Sequence, residues 1–134
     1  MGPEECEKFL ATLQENLPIC FRINCDVPNY QNLLMKIESP EFLPHFLGPE
    51  ELEHVHLKKI EWYPGSLVWS LTMSRREMKK SENVKALHKF LQEATAGGLI
   101  TRQELVSMLP PLILDVKPGM KVLDACAAPG SKTA

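Results

Sequence analysis

Cys6, Phe9, Leu10, Leu13 and Leu17 recur at the helical spacing i, i+3, i+4, i+7 and i+11, with Pro3 placed to open the run and Pro18 to end it. The spacing predicts a first amphipathic helix from about Pro3 to Asn16. Ile19 to Asn24 is short and rich in β-forming residues, which predicts a strand, and Asp26-Val27-Pro28 after it supplies turn chemistry. Tyr30, Leu33, Leu34 and Ile37 resume the helical spacing until Ser39-Pro40, and Pro44, Gly48 and Pro49 then mark a loop. Val55 to Trp62 reads as a second strand, closed by a turn at Tyr63-Pro64-Gly65. These elements together predict a small α+β unit.

Further along, Ser81 precedes a run that sets Val84, Leu87, His88 and Leu91 on one helical face, and Gly97-Gly98 supplies the left-handed residue that closes such a helix. His88 reads as a packed flank of that stripe. Thr101-Arg102-Gln103-Glu104 has the spacing of a capping box, predicting a helix through Leu105, Met108 and Leu109 that Pro110-Pro111 stops. After a turn at Lys117-Pro118-Gly119, Met120 to Ala125 reads as a short apolar strand carrying Asp124 near its end, followed by small residues from Cys126 to Ala134. Strand, small-residue loop and helix start is the order that places a backbone against a nucleotide-like ligand in a doubly wound sheet. Two generic phosphate loops fail on the letters. Ser131 separates Gly130 from Lys132 and Ala125 stands at the first glycine position of a P-loop, and the single glycine of the segment cannot form Gly-x-Gly-x-x-Gly.

Composition narrows the class. A chain of 134 residues, 44% hydrophobic and 24% charged, is of ordinary globular make-up and about one domain long. Its apolar runs, such as Pro110 to Leu114, fall far below the roughly 20 residues of a membrane helix. The acidic start, Met1 to Glu7, matches neither a secretory nor a transit leader, so Cys6, Cys20, Cys25 and Cys126 read as reduced thiols. Cys20, Cys25, His54 and His56 lack zinc-ligand spacing, and no metal site is expected. The net charge of −2 conceals an asymmetry: residues 1–53 hold 3 basic and 10 acidic side chains, residues 54–134 hold 12 and 7. Arg75, Arg76, Lys79, Lys80, Lys85 and Lys89 form a basic cluster suited to phosphates, and a solvated helix face explains it about as well.

The run Asp124-Ala-Cys-Ala-Ala-Pro-Gly-Ser-Lys-Thr133 resembles the S-adenosylmethionine-binding motif of the Nop/Sun family of RNA cytosine-5 methyltransferases. The resemblance extends upstream. Arg102-Gln-Glu-Leu-Val-Ser-Met-Leu-Pro-Pro111 resembles the family's helix ahead of the cofactor strand, Trp62-Tyr63-Pro64 with Trp69 its tryptophan segment, and Leu17-Pro18 with Phe21-Arg22-Ile23 its N-terminal strand. Within the family the chain is most similar to the eukaryotic tRNA methyltransferases.

The resemblance implies an α/β fold: the start of a Rossmann-like methyltransferase domain preceded by a small α+β RNA-binding domain. It divides the chain into a small α+β N-terminal domain (1–64), a helical linking segment (65–112), and the first strand and cofactor loop (113–134). Cys126, Ala127, Ala128, Pro129, Gly130, Ser131 and Lys132 are then the residues against S-adenosylmethionine, with Asp124 ordering the loop. Arg22, Arg75, Arg76, Lys79 and Lys80 are the expected RNA contacts, tRNA the partner with other RNAs besides, and the protein a monomer free of membrane. The nucleus is the implied location, the cytoplasm the alternative. Methylating cytosine C5 requires an activated cysteine thiolate that adds to C6. In the family that cysteine lies in Thr-Cys-Ser, with a second in Asp-x-Pro-Cys, both downstream of the cofactor loop, and this chain contains neither Thr-Cys nor Pro-Cys. Asp26-Val27-Pro28-Asn29 has asparagine where the second motif has cysteine, and Cys126 belongs to the cofactor side, so no catalytic residue is named. The expectation is the leading part of a longer methyltransferase, or failing that a truncated, inactive RNA-binding product.

Overall fold

The structure is a computed structural model, and it describes residues 2–15, 17–74 and 82–133. The expected helix end at Asn16 and helix opener at Ser81 lie outside the described residues.

Helix α1 spans Pro3–Gln14, with Pro3 at its first position, Glu4 and Glu5 in the first turn, and the Glu5 carboxylate accepting the Gly2 N–H at 2.9 Å. The helix is where the spacing puts it, yet none of its residues is buried. Strand β1 follows at Pro18–Ile23, then α2 at Tyr30–Glu38. The loop expected around Pro44 to Pro49 is instead two short helices, α3 at Phe42–Phe46 and α4 at Pro49–Leu52. Proline in a first helical turn forfeits an N–H that has no partner there in any case, so neither Pro44 nor Pro49 opposes its helix. Strand β2 covers Leu57–Lys59, shorter than the expected Val55 to Trp62, and a 3-10 turn at Pro64–Ser66 leads into β3 at Val68–Ser74. The remaining elements are α5 at Glu82–Ala96, β4 at Ile100–Arg102 and α6 at Leu105–Leu114.

The four strands form one antiparallel sheet in the order β2-β3-β1-β4. Phe21 pairs with Trp69, Ile19 with Leu71 and Ile23 with Ile100, and because side chains alternate along a strand these six share one face. That face carries the main core. Ile37 of α2, Phe42 of α3 and Val84, Leu87, Leu91 and Ala94 of α5 pack in the same cluster, and Phe42, Phe46 and Phe90 meet at ring-centroid distances of 5.3–5.6 Å. Helix α5 ends as its glycines foretell: Gly98 has φ +70°, its N–H donates to Thr95 O at 3.1 Å, and the Leu99 N–H donates to Ala94 O at 2.9 Å. His88 is half-buried beside the stripe.

The opposite face carries Cys20, Arg22, Val68, Ser70 and Thr101, with α6 lying over part of it. Met108 packs there with Val68 and Ile60, flanked by Tyr63 and Leu105. The boundary expected after residue 64 falls inside this sheet, since β3 from beyond it is hydrogen-bonded to β1 and β2 from before it. The span 65–112 accordingly holds two strands as well as helices.

Three further expectations are corrected. Thr101 does not cap a helix, because its backbone pairs with Arg22 in the ladder, and α6 starts after Glu104. Pro110 and Pro111 do not stop α6 but lie inside it. They remove the N–H groups that would reach Val106 O and Ser107 O, and the Gln103 side chain donates to Ser107 O instead, at 3.4 Å. Finally, Met120 to Ala125 is irregular rather than a strand. A strand exists through its ladder, and among the described residues no strand lies beside this segment, which leaves Leu123 89% exposed.

Candidate functional site

The loop from Asp124 to Thr133 is organised by its first residue. Asp124 Oδ1 accepts the Cys126 N–H at 2.9 Å, and Oδ2 accepts the Thr133 hydroxyl at 2.7 Å. One carboxylate therefore closes both ends of a turn that contains all seven expected cofactor residues. The Thr133 hydroxyl, the Cys126 N–H and, more weakly, the Lys132 ammonium hold the Asp124 carboxyl below its ordinary range. Between the ends, the Ala128–Pro129 peptide is cis and Gly130 has φ +98°, a conformation that favours a residue without Cβ.

Side chains in the loop are small except for Lys132, and all seven residues are exposed apart from the half-buried Gly130. The loop is therefore an exposed run of small residues with one flexible cation beside it, its Cys126 N–H given to Asp124 and Pro129 carrying none. The helix start expected after the loop is a turn at Ser131–Thr133.

Gln103, which the sequence reading did not single out, anchors this loop. Its side-chain amide donates to Ser131 O, and its backbone N–H donates to Cys20 O on β1 at 3.2 Å. The one signal that could have found it is the Pro110-Pro111 pair, which predicts orphan carbonyls in the preceding turn and hence a polar side chain to serve them.

No family model matches the chain, and no solved structure matches it. Curated proteins do. A tRNA (cytosine(34)-C(5))-methyltransferase of Drosophila melanogaster is 42% identical over 137 residues, covering 98% of this chain and 18% of the fly protein. A multisite-specific tRNA:(cytosine-C(5))-methyltransferase of Saccharomyces cerevisiae is 39% identical over 98% of this chain and 19% of its own length. Its Schizosaccharomyces pombe counterpart is 36% identical over the same shares. The chain is similar along nearly its whole length to these tRNA cytosine-C5 methyltransferases. It spans about a fifth of the length of these curated relatives.

Within the chain the expected RNA contacts divide. Arg22 is half-buried on β1, on the sheet face that α6 partly covers, whereas Arg75, Arg76, Lys79 and Lys80 lie outside the described residues. Lys89 is exposed on α5 and pairs with Glu93 at 3.7 Å. The thiols divide too. Cys6, Cys25 and Cys126 are exposed, and Cys20 is buried with its Sγ donating to Ser70 Oγ at 3.4 Å. Burial raises the Cys20 pKa, the Ser70 hydrogen bond opposes this and the Glu104 carboxylate adds to it, so Cys20 stays a protonated thiol. Among the described residues no group of three or more His, Cys, Asp or Glu side chains could hold a metal ion. None of the helices searched there is long and apolar enough to cross a membrane.

Proposed function

We propose that this chain is the N-terminal portion of an S-adenosylmethionine-dependent tRNA cytosine-5 methyltransferase, and that it contributes RNA-binding surface and one side of the cofactor site. The observation that carries the reading is the alignment of 98% of the chain with relatives named as tRNA cytosine-C5 methyltransferases. In this reading the sheet with its helices is the RNA-binding unit, and residues 113–134 begin a Rossmann-like domain. The nuclear location expected from the resemblance belongs to the same proposal.

The loop fits the cofactor by the chemistry it offers. Ala127, Ala128 and Gly130 to Lys132 carry backbone N–H groups among small side chains on a turn that Asp124 holds closed, and glycine takes the φ of +98° at no steric cost. Cys126, Ala127, Ala128, Pro129, Gly130, Ser131 and Lys132 would hold it, the amides facing its polar groups and the Lys132 ammonium its anionic ones. When bound, S-adenosylmethionine supplies a methyl group activated by sulfonium charge. The chain's own contribution is to bind and orient. In this reading none of the four cysteines is the thiolate for the base, because none stands in a Thr-Cys or Pro-Cys pair, Cys20 is buried, and Cys126 belongs to the cofactor loop.

The test is a chimera in which these 134 residues replace the matching stretch of the S. cerevisiae relative in cells lacking that protein. Nucleoside mass spectrometry of purified tRNA should show 5-methylcytosine restored. A chimera that accumulates to normal levels and leaves tRNA cytosine unmodified would overturn the reading, leaving an inactive RNA-binding product in its place.

A further inference from the structure

We infer that Gln103 is a positioning residue for the 126–132 loop, its side-chain amide aiming the Ser131–Lys132 peptide outward. Gln103 is 7% exposed and stands between β4 and α6, where the hydrogen bond from its backbone N–H to Cys20 O fixes it to β1. Its side-chain nitrogen faces two carbonyl oxygens, Ser107 O at 3.4 Å and Ser131 O. Two carbonyls can be served only by the –NH2 end of the amide, because Oε1 in its place would set lone pair against lone pair. Both N–H donors of the side chain are thus committed.

The prolines of α6 explain the arrangement. Pro111 lacks the N–H that would serve Ser107 O, so that carbonyl holds one donor of Gln103 and turns the other toward the loop. Ser131 C=O and Lys132 N–H belong to one planar trans peptide and point to opposite sides of it. Pinning the carbonyl inward therefore directs the Lys132 N–H away from the sheet, toward the side a ligand approaches. The acceptor it suits is an anionic or hydroxyl oxygen of the cofactor, and in that part alone the inference rests on the cofactor reading above.

Backbone 15N relaxation of the 134-residue chain tests the positioning directly. In the wild type, Gly130 to Lys132 should show order parameters near the rigid value of about 0.85, falling below about 0.6 in Gln103→Met, which keeps length and loses both donors. Phe21 and Ile23 should not change. A wild-type loop that is already flexible, a loop unaffected by the substitution, or a sheet that loosens to the same extent as the loop would each overturn the inference. Gln103→Asn, which withdraws the donors by one methylene, gives the same reading if the Met variant fails to fold. In the yeast chimera, Gln103→Met should raise the KM for S-adenosylmethionine roughly fivefold and leave the KM for tRNA unchanged. Equal effects on both constants would overturn the role toward the cofactor. A wild-type chimera without activity would overturn the cofactor reading and leave the relaxation result to stand.

Discussion

Leu10 and Leu87 occupy equivalent places in two amphipathic stripes, and the structure gives them opposite surroundings: Leu10 on α1 is 53% exposed, whereas Leu87 on α5 is 0% exposed. Truncating each to alanine should separate them. Leu87 belongs to the cluster that includes Phe21, Ile23 and Ile100, whose strands are pinned by ladder hydrogen bonds and cannot close around a void. Leu87→Ala should therefore fall in the upper part of the usual 2–5 kcal/mol for a buried leucine, at about 3–4 kcal/mol. Leu10→Ala removes no buried contact and slightly improves helix propensity, so the change should stay within about 0.5 kcal/mol. Urea denaturation followed by far-UV circular dichroism measures both. With a slope of about 2 kcal/mol/M, Leu87→Ala lowers the midpoint by about 1.5–2 M while Leu10→Ala leaves it in place. Equal shifts for the two variants would refute the reasoning, because they would mean that α1 packs on the sheet unit as tightly as α5 does.

The other predictions concern single residues. Gly98→Ala places a Cβ at φ +70° with nothing within 4 Å to clash, so backbone strain alone should destabilise the chain by roughly 1–2 kcal/mol, read from the same urea transition. For Asp124 the folded carboxyl lies below its ordinary value, so its contribution to loop order is complete above the ordinary carboxylate pKa and is lost as pH falls through the lowered one. Loop order parameters should accordingly hold from neutral pH down through mild acid and collapse only below the usual carboxylate range; in Asp124→Asn they should be low at every pH. Thiol titration with a chromogenic disulfide near pH 8 should modify Cys6, Cys25 and Cys126 within minutes and Cys20 only after denaturation. Rapid modification of Cys20 in the folded chain would contradict its burial.

Much of the fold can be read from local pattern, and the exceptions share a cause. Helices α1, α2 and α5 follow from 3.6-residue periodicity and their proline and glycine borders, and β1 from a short run of β-formers. Period cannot say what a stripe packs against, which is why α1 and α5 look alike as letters. Val68 to Ser74 alternates Trp69, Leu71 and Met73 with Ser70 and Thr72, a clean strand pattern that stands in the sequence independently of any family resemblance of its tryptophan. Strand β4 has only three residues and owes its existence to β1, far away in sequence, so the Thr-x-x-Glu spacing over it suggested a cap that the ladder overrides. Met120 to Ala125 shows the converse. Its composition favours a strand, and with no strand beside it among the described residues it is irregular.

The loop was legible for a different reason than the strands. Asp124 and Thr133 stand nine positions apart, and their hydrogen bond encloses a run of small residues, so the closure of the turn lies within one short segment of the sequence. Gln103 could not be found that way. Its two side-chain acceptors lie four and 28 positions along the chain, and only the second touches the loop. What connects them is a missing N–H: two prolines set inside a helix leave carbonyls that some side chain must serve, and Gln103, two residues before the helix, is the one in reach. A helix that seems miswritten by its prolines thus holds a donor where the loop needs it, and restoring the helix ladder by Pro111→Ala should free that donor and loosen Ser131 without disturbing the sheet.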